Sequence, residues 1–144
     1  VLPGFGEGEI LRFFPFSERP MTAPDPPSLF SVELRTARFG ELVEWYRGVL
    51  GLRVLVRVVD DGYALLDAGE TRLAILERPS AGEPSGRWSL GFEVEDLDAA
   101  HARLAAAAAD IPLPRLHAEG FRELVVKDPD GNRIRLFSWP GKGK

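Results

Sequence analysis

The sequence predicts an α+β fold: two βαβββ modules in tandem, which together form a cupped, partly closed mixed β-sheet. Three observations predict it. A stretch of period-two alternation gives way to a helical stripe near residue 30, and the same change recurs near residue 89. Each is followed by β-rich runs broken at Gly-containing turns, and the loop "RPSAGEPSGR" separates the two copies. Residues 1–28 read as an N-terminal extension ending in a Pro-rich linker. Residues 29–139 read as one domain, with module one at 29–78, module two at 87–139 and a tail at 140–144.

In module one, "LFSVELRT" alternates Phe30, Val32 and Leu34 against Ser31, Glu33 and Arg35, the pattern of a half-buried strand. Phe39, Leu42, Val43, Tyr46, Val49 and Leu50 then lie on one stripe of an amphipathic helix that Gly51 stops. Three strands follow, with Asp61-Gly62 and Ala68-Gly69 as the turns between them. The linker "TAPDPPS" has three prolines and no periodicity, so it delivers the chain in extended form.

In module two, Leu90, Phe92 and Val94 alternate with Ser89, Gly91 and Glu93, and Asp96 is placed to cap a helix striped by Leu97, Ala100 and Leu104. "IPLPRLHAEG", "FRELVVKD" and "PDGNRIRLF" complete the copy. Asp128-Pro129-Asp130-Gly131 has Pro at the second and Gly at the fourth position of a type I turn.

Neither copy can bury both faces of a four-stranded sheet with one helix, so the other face must line a cup closed by the second copy or by another chain. By alternation that face carries Ser31, Glu33, Arg35, Arg72, Ala74, Ser89, Gly91, Glu93, Arg133, Arg135 and Phe137. Arginines in a cup must be paired, because an isolated buried charge costs several kcal/mol. Two readings stay open: Glu33 and Glu93 neutralise them in an ion-pair lattice, or their planar donors hold an anionic or carbonyl-bearing ligand. Trp45, Tyr46, Trp88, Tyr63, Phe137 and Trp139 are expected mainly in packing, with stacking on a planar ligand as the alternative, and Phe121 is a lid candidate. His101 is expected exposed on its helix, and His117 in a loop.

Composition excludes several functions. A formal charge of −4 argues against nucleic acid as the main partner, since counterion release needs a basic surface. No apolar run approaches the roughly 18 residues of a membrane span. Cysteine is absent, which removes thiolate metal sites and a Cys nucleophile. A cytoplasmic location is the expectation. If Met21 is the natural start, the segment before it is expected to be vector-derived or an upstream extension, whose Phe5, Phe13, Phe14 and Phe16 need cover if ordered. Neither Ser31 nor Ser89 has a histidine base beside it, and no phosphate-binding glycine loop occurs.

"WYRGVLGL", "LGFEVEDLDAAHARL" and "VVKDPDGNRIRLF", in that order in a duplicated frame, resemble the vicinal oxygen chelate superfamily. That group comprises the glyoxalases, the bleomycin-resistance and related antibiotic-binding proteins, and the extradiol dioxygenases. The resemblance implies a divalent metal held by His and Glu from the first and last strands of each module. Those positions fall at Ser31, about Ala74, Ser89 and Arg135, which are not a competent ligand set for an ion wanting imidazole nitrogen or carboxylate oxygen at about 2 Å. The expectation is a homodimeric protein of this type that binds a small organic molecule, anionic or planar, through Ser31, Glu33, Arg35, Arg72, Ser89, Glu93, Arg133, Arg135 and Phe137. No metal or other cofactor is expected, and the catalytic residues are unknown. The alternatives are a lyase or dioxygenase with an atypical metal site, and a non-catalytic scaffold.

Overall fold

Alternation and stripe become strand and helix where they are expected. In a computed structural model of the chain, residues 25–140 are described; the proposed docking of Phe5, Phe13, Phe14 and Phe16 and most of the tail lie outside them. Module one is β1 (Ser31–Thr36), α1 (Phe39–Glu44), which continues as a π-helical turn (Trp45–Val49), then β2 (Arg53–Val58), β3 (Tyr63–Ala68) and β4 (Thr71–Glu77). Module two is β5 (Leu90–Glu93), α2 (Leu97–Ala107), β6 (Arg115–Leu116), β7 (Arg122–Lys127) and β8 (Arg133–Ser138). Residues 31–140 belong to one compact unit, and residues 25–30 are exposed and form neither helix nor strand.

Each module folds into a four-stranded sheet of the same order, β1-β4-β3-β2 and β5-β8-β7-β6. The first strand runs parallel to the last, and the remaining pairs are antiparallel. The sheets do not close into a barrel. Leu66, Leu73 and Ile75 of one sheet and Leu124, Val126, Ile134 and Leu136 of the other are buried in one continuous core with Phe39, Leu42, Val43, Leu97 and Leu104 of the helices. At about 1.5–3 kcal/mol for each fully buried large side chain, this stripe-on-sheet packing is the main force holding the modules. No helix among the described residues is long and apolar enough to cross a membrane.

Helix boundaries follow local chemistry. Asp96 caps α2, its Oδ1 accepting from the Ala99 amide at 2.9 Å. Arg122 of β7 forks onto Asp98 in the first turn of that helix, at 3.1 and 2.9 Å. In the π-turn the Leu50 amide reaches back to the Trp45 carbonyl at 3.0 Å. Gly51 ends it at φ 93°, a left-handed conformation that favours glycine.

The modules are also joined by one buried polar bond. Tyr46, fully enclosed on the α1 stripe, donates its hydroxyl to Asp128 Oδ2 at 2.6 Å. The Asp128 carboxylate also accepts the Asp130 and Asn132 amides at 3.0 and 2.9 Å and the Asn132 side chain at 2.8 Å. The Gly131 amide closes the expected turn onto the Asp128 carbonyl at 2.9 Å. Burial, then the adjacent Asp128 charge, push the Tyr46 phenol well above its ordinary range.

Three expectations need correction. Strand pairing starts at Ser31, opposite Arg72, so Phe30 lies outside β1 and is 60% exposed rather than facing the core. Ser89 precedes β5, whose pairing begins at Leu90 opposite Ile134. Trp88, expected in packing, is 79% exposed for the same reason.

Candidate functional site

The open face of module two concentrates the unusual chemistry. β7 and β8 are registered so that Glu123 lies opposite Phe137 and Val125 opposite Arg135, which makes Glu123 and Arg135 diagonal neighbours on one face. Arg135 donates from Nε to Glu123 Oε2 at 2.8 Å and from Nη2 to the same oxygen. The glutamate side chain is only 8% exposed and the arginine 30%. The Arg135 hydrogen bonds hold the Glu123 carboxyl below the usual carboxylate range, against a burial effect that acts the other way. Arg115 of β6 stands 3.9 Å from the other Glu123 oxygen.

Aromatic rings adjoin this pair. His117 stacks on Phe121 at 4.5 Å and 11°, and Phe121 meets Phe137 at 6.1 Å and Trp139 at 5.1 Å. The Arg135 guanidinium lies 5.7 Å from the Phe137 ring, within cation–π reach. The loop carrying His117 and Phe121 is tied by the His117 amide to the Phe121 carbonyl at 2.7 Å, and turns at Gly120, whose φ is 100°. Phe121 is thus a packed member of the platform.

The other expected residues are distributed over separate places. Glu33 and Arg35 are half exposed on β1 and 3.9 Å apart. They line a cavity of about 610 Å³ with Arg38, Pro84 and Asp130. Ser31 sits opposite Arg72, and Glu93 opposite Phe137. Arg133 is exposed at the start of β8, opposite Lys127, in a groove with Ile111 and Pro112. Sequence reasoning therefore brought Glu93, Arg135 and Phe137 to one face, but in weighing Glu33 and Glu93 as counter-ions it did not consider Glu123, the partner Arg135 takes. Glu123 was legible in principle, since the alternation of "FRELVVKD" puts Phe121, Glu123 and Val125 on one side. His101 is half-buried, with Nε2 enclosed and without a hydrogen-bond partner, because α2 turns that face toward the protein.

The residues do not fit the superfamily's metal. Ser31 and Ser89 offer hydroxyls, Ala74 is a buried methyl, and Arg135 is a cation already engaged with Glu123. No group of three or more His, Asp or Glu able to hold a metal ion occurs among the described residues.

Paired βαβββ sheets of this order, each with a helix on one face and an open face on the other, define a glyoxalase-like protein. The chain belongs to the Glyoxalase/Bleomycin resistance protein/Dioxygenase superfamily, whose family model matches residues 28–136. It is 28% identical over 124 residues to the uncharacterized protein YraH of Bacillus subtilis (strain 168), an alignment covering 76% of this chain and 96% of that one. A glyoxalase/bleomycin resistance protein/dioxygenase from Nocardioides superposes with a TM-score of 0.64 at 25% identity, covering 86% of this chain and 92% of its own. TioX from Micromonospora sp. ML1 does so at 0.63 and 26%, covering 78% and 98%. The lactoylglutathione lyase of Agrobacterium tumefaciens, at 16% identity and a TM-score of 0.62 over 80% of this chain and 96% of its own, shares the fold.

Proposed function

We propose that the protein binds a small planar organic molecule on the open face of module two without recruiting a metal. The observation that carries this reading is the aromatic group Phe121, Phe137 and Trp139, whose Phe137 ring lies beside an arginine balanced by a nearly enclosed glutamate. Rings supply contact area at little entropic cost, and the guanidinium supplies direction. Module one offers no equivalent, since its Glu33–Arg35 pair is half in water. Among the described residues the donor set lends no support to catalysis through a divalent Lewis acid, and none of them forms a nucleophile–base pair on this face.

Titration of the full chain with planar bicyclic and tricyclic aromatics, followed by tryptophan fluorescence, tests it. Saturable quenching that is lost in Trp139→Phe and weakened in Phe121→Ala is the expected result. Quenching that persists in Trp139→Phe would place the ligand elsewhere and end the proposal.

A further inference from the structure

We infer that the molecule held here is a flat aromatic acid, its carboxylate taken by Nη1 of Arg135 across the side-chain-free backbone of Gly91; this rests on module two's open face being the binding surface. An arginine carries five N–H donors in a fixed fork. Nε and Nη2 of Arg135 are both directed to one oxygen of Glu123, while Nη1 makes no hydrogen bond among the described residues. Gly91 is the strand partner of Arg135. A Cβ built on it would lie 3.7 Å from Nη1 and 3.9 Å from Cε1 of Phe137. The absence of a side chain there keeps clear the space between the unclaimed donors and the nearest ring.

Charge confines an acceptor to the Arg135 side of that space. Arg135 and Glu123 cancel, and so do Arg115, 3.9 Å from Glu123, and Glu93, opposite Phe137, so the face is neutral as a whole and the Nη1 donor carries the preference. His117 and Glu119 form their own contact at 3.5 Å, with Glu119 three-quarters exposed. Glu93, opposite Phe137, sets the limit on the far side, because a carboxylate placed there would meet like charge. The acid must therefore sit on the Arg135 side of Gly91 with its ring over Phe137 and Phe121. Gly91 is then a specificity-determining position: a side chain on it stands against Nη1, and a branched one closes the approach to that nitrogen.

Calorimetric titration of the full chain with naphthalene-2-carboxylate and with naphthalene-2-carboxamide tests the inference. A charge-assisted hydrogen bond predicts the acid to bind roughly ten- to a hundredfold more tightly than the amide. Gly91→Val should remove that preference, and Gly91→Ala should reduce it with an unchanged urea midpoint, since Gly91 is exposed and no neighbouring atom lies within 3.4 Å of the added Cβ. Arg135→Lys, which keeps charge but not the fork, should also remove it. Equal affinities for acid and amide, or a preference that survives Gly91→Val, overturn the acid while leaving the platform standing. If neither probe binds up to about 1 mM, the platform falls and the acid with it.

Discussion

The two modules share one topology and differ in what they do with it. On the open face of module one, Glu33 and Arg35 face each other at 3.9 Å and remain half in water. On the corresponding face of module two, Glu123 is nearly enclosed, takes two donors from Arg135, and is flanked by rings. The acidic turns diverge in the same way. Asp67 accepts the Gly69 amide at 3.0 Å and pairs with exposed Arg53 at 3.2 Å, whereas Asp128 is buried and holds Tyr46, Asp130 and Asn132 together. Duplicating a fold does not duplicate a site: burial decides which copy of a charge has consequences.

Substitutions can break or sharpen this contrast. Asp128→Ala is expected to have the largest effect, about 3 kcal/mol in urea unfolding, because it strands the Tyr46 hydroxyl and loop amides in the interior. Asp67→Ala in module one should shift the midpoint far less; equal losses would erase the distinction between the turns. Next, Glu123→Ala should cost about 2 kcal/mol, less than a fully enclosed pair because Arg135 retains partial exposure. Glu33→Ala, by contrast, should stay within about 0.5 kcal/mol.

The pH dependence follows from the same groups. Glu123 has a folded pKa below its unfolded value of 4.5, so below that pH the unfolded chain binds more protons. Its contribution is present above pH 4.5 and is lost as pH falls through the lower folded value. Glu123→Gln should flatten that acid limb of a stability–pH curve, and an unchanged limb would show that the pair is not coupled to folding. Tyr46 acts at the opposite end. Its folded pKa lies above its ordinary 10.0, so stability should fall as pH rises beyond 10 and the unfolded phenol ionises, a decline that Tyr46→Phe abolishes. The smallest effect is expected for Arg35→Gln, with midpoint and ligand affinity both unchanged.

Much of this architecture was legible in the chain because it depends on local chemistry. The α1 stripe, the Asp96 cap and the Asp128–Gly131 turn each follow from residues within a few positions of one another. What escaped depends on register between distant strands. Whether Arg135 meets Glu93 or Glu123 is decided by how β8 aligns with β5 and β7, and alternation gives only the face. The lost Phe30 and Trp88 positions have the same origin, because a strand's first paired residue depends on its partner. The expectation that His101 is exposed failed because the α2 stripe is weak in sequence: alanines fill it, and a stripe of small residues does not show how wide the covered arc is.

The hydroxyl of Tyr46 and the carboxylate of Asp128 belong to different repeats, and neither has a counterpart in the other: α2 contains no tyrosine, and the module-one aspartate is turned toward Arg53. Two copies of either half could reproduce the strand order but not this clasp. The repeat is thus joined directionally, the leading half supplying the donor and the trailing half the acceptor, so the two halves cannot stand in for each other.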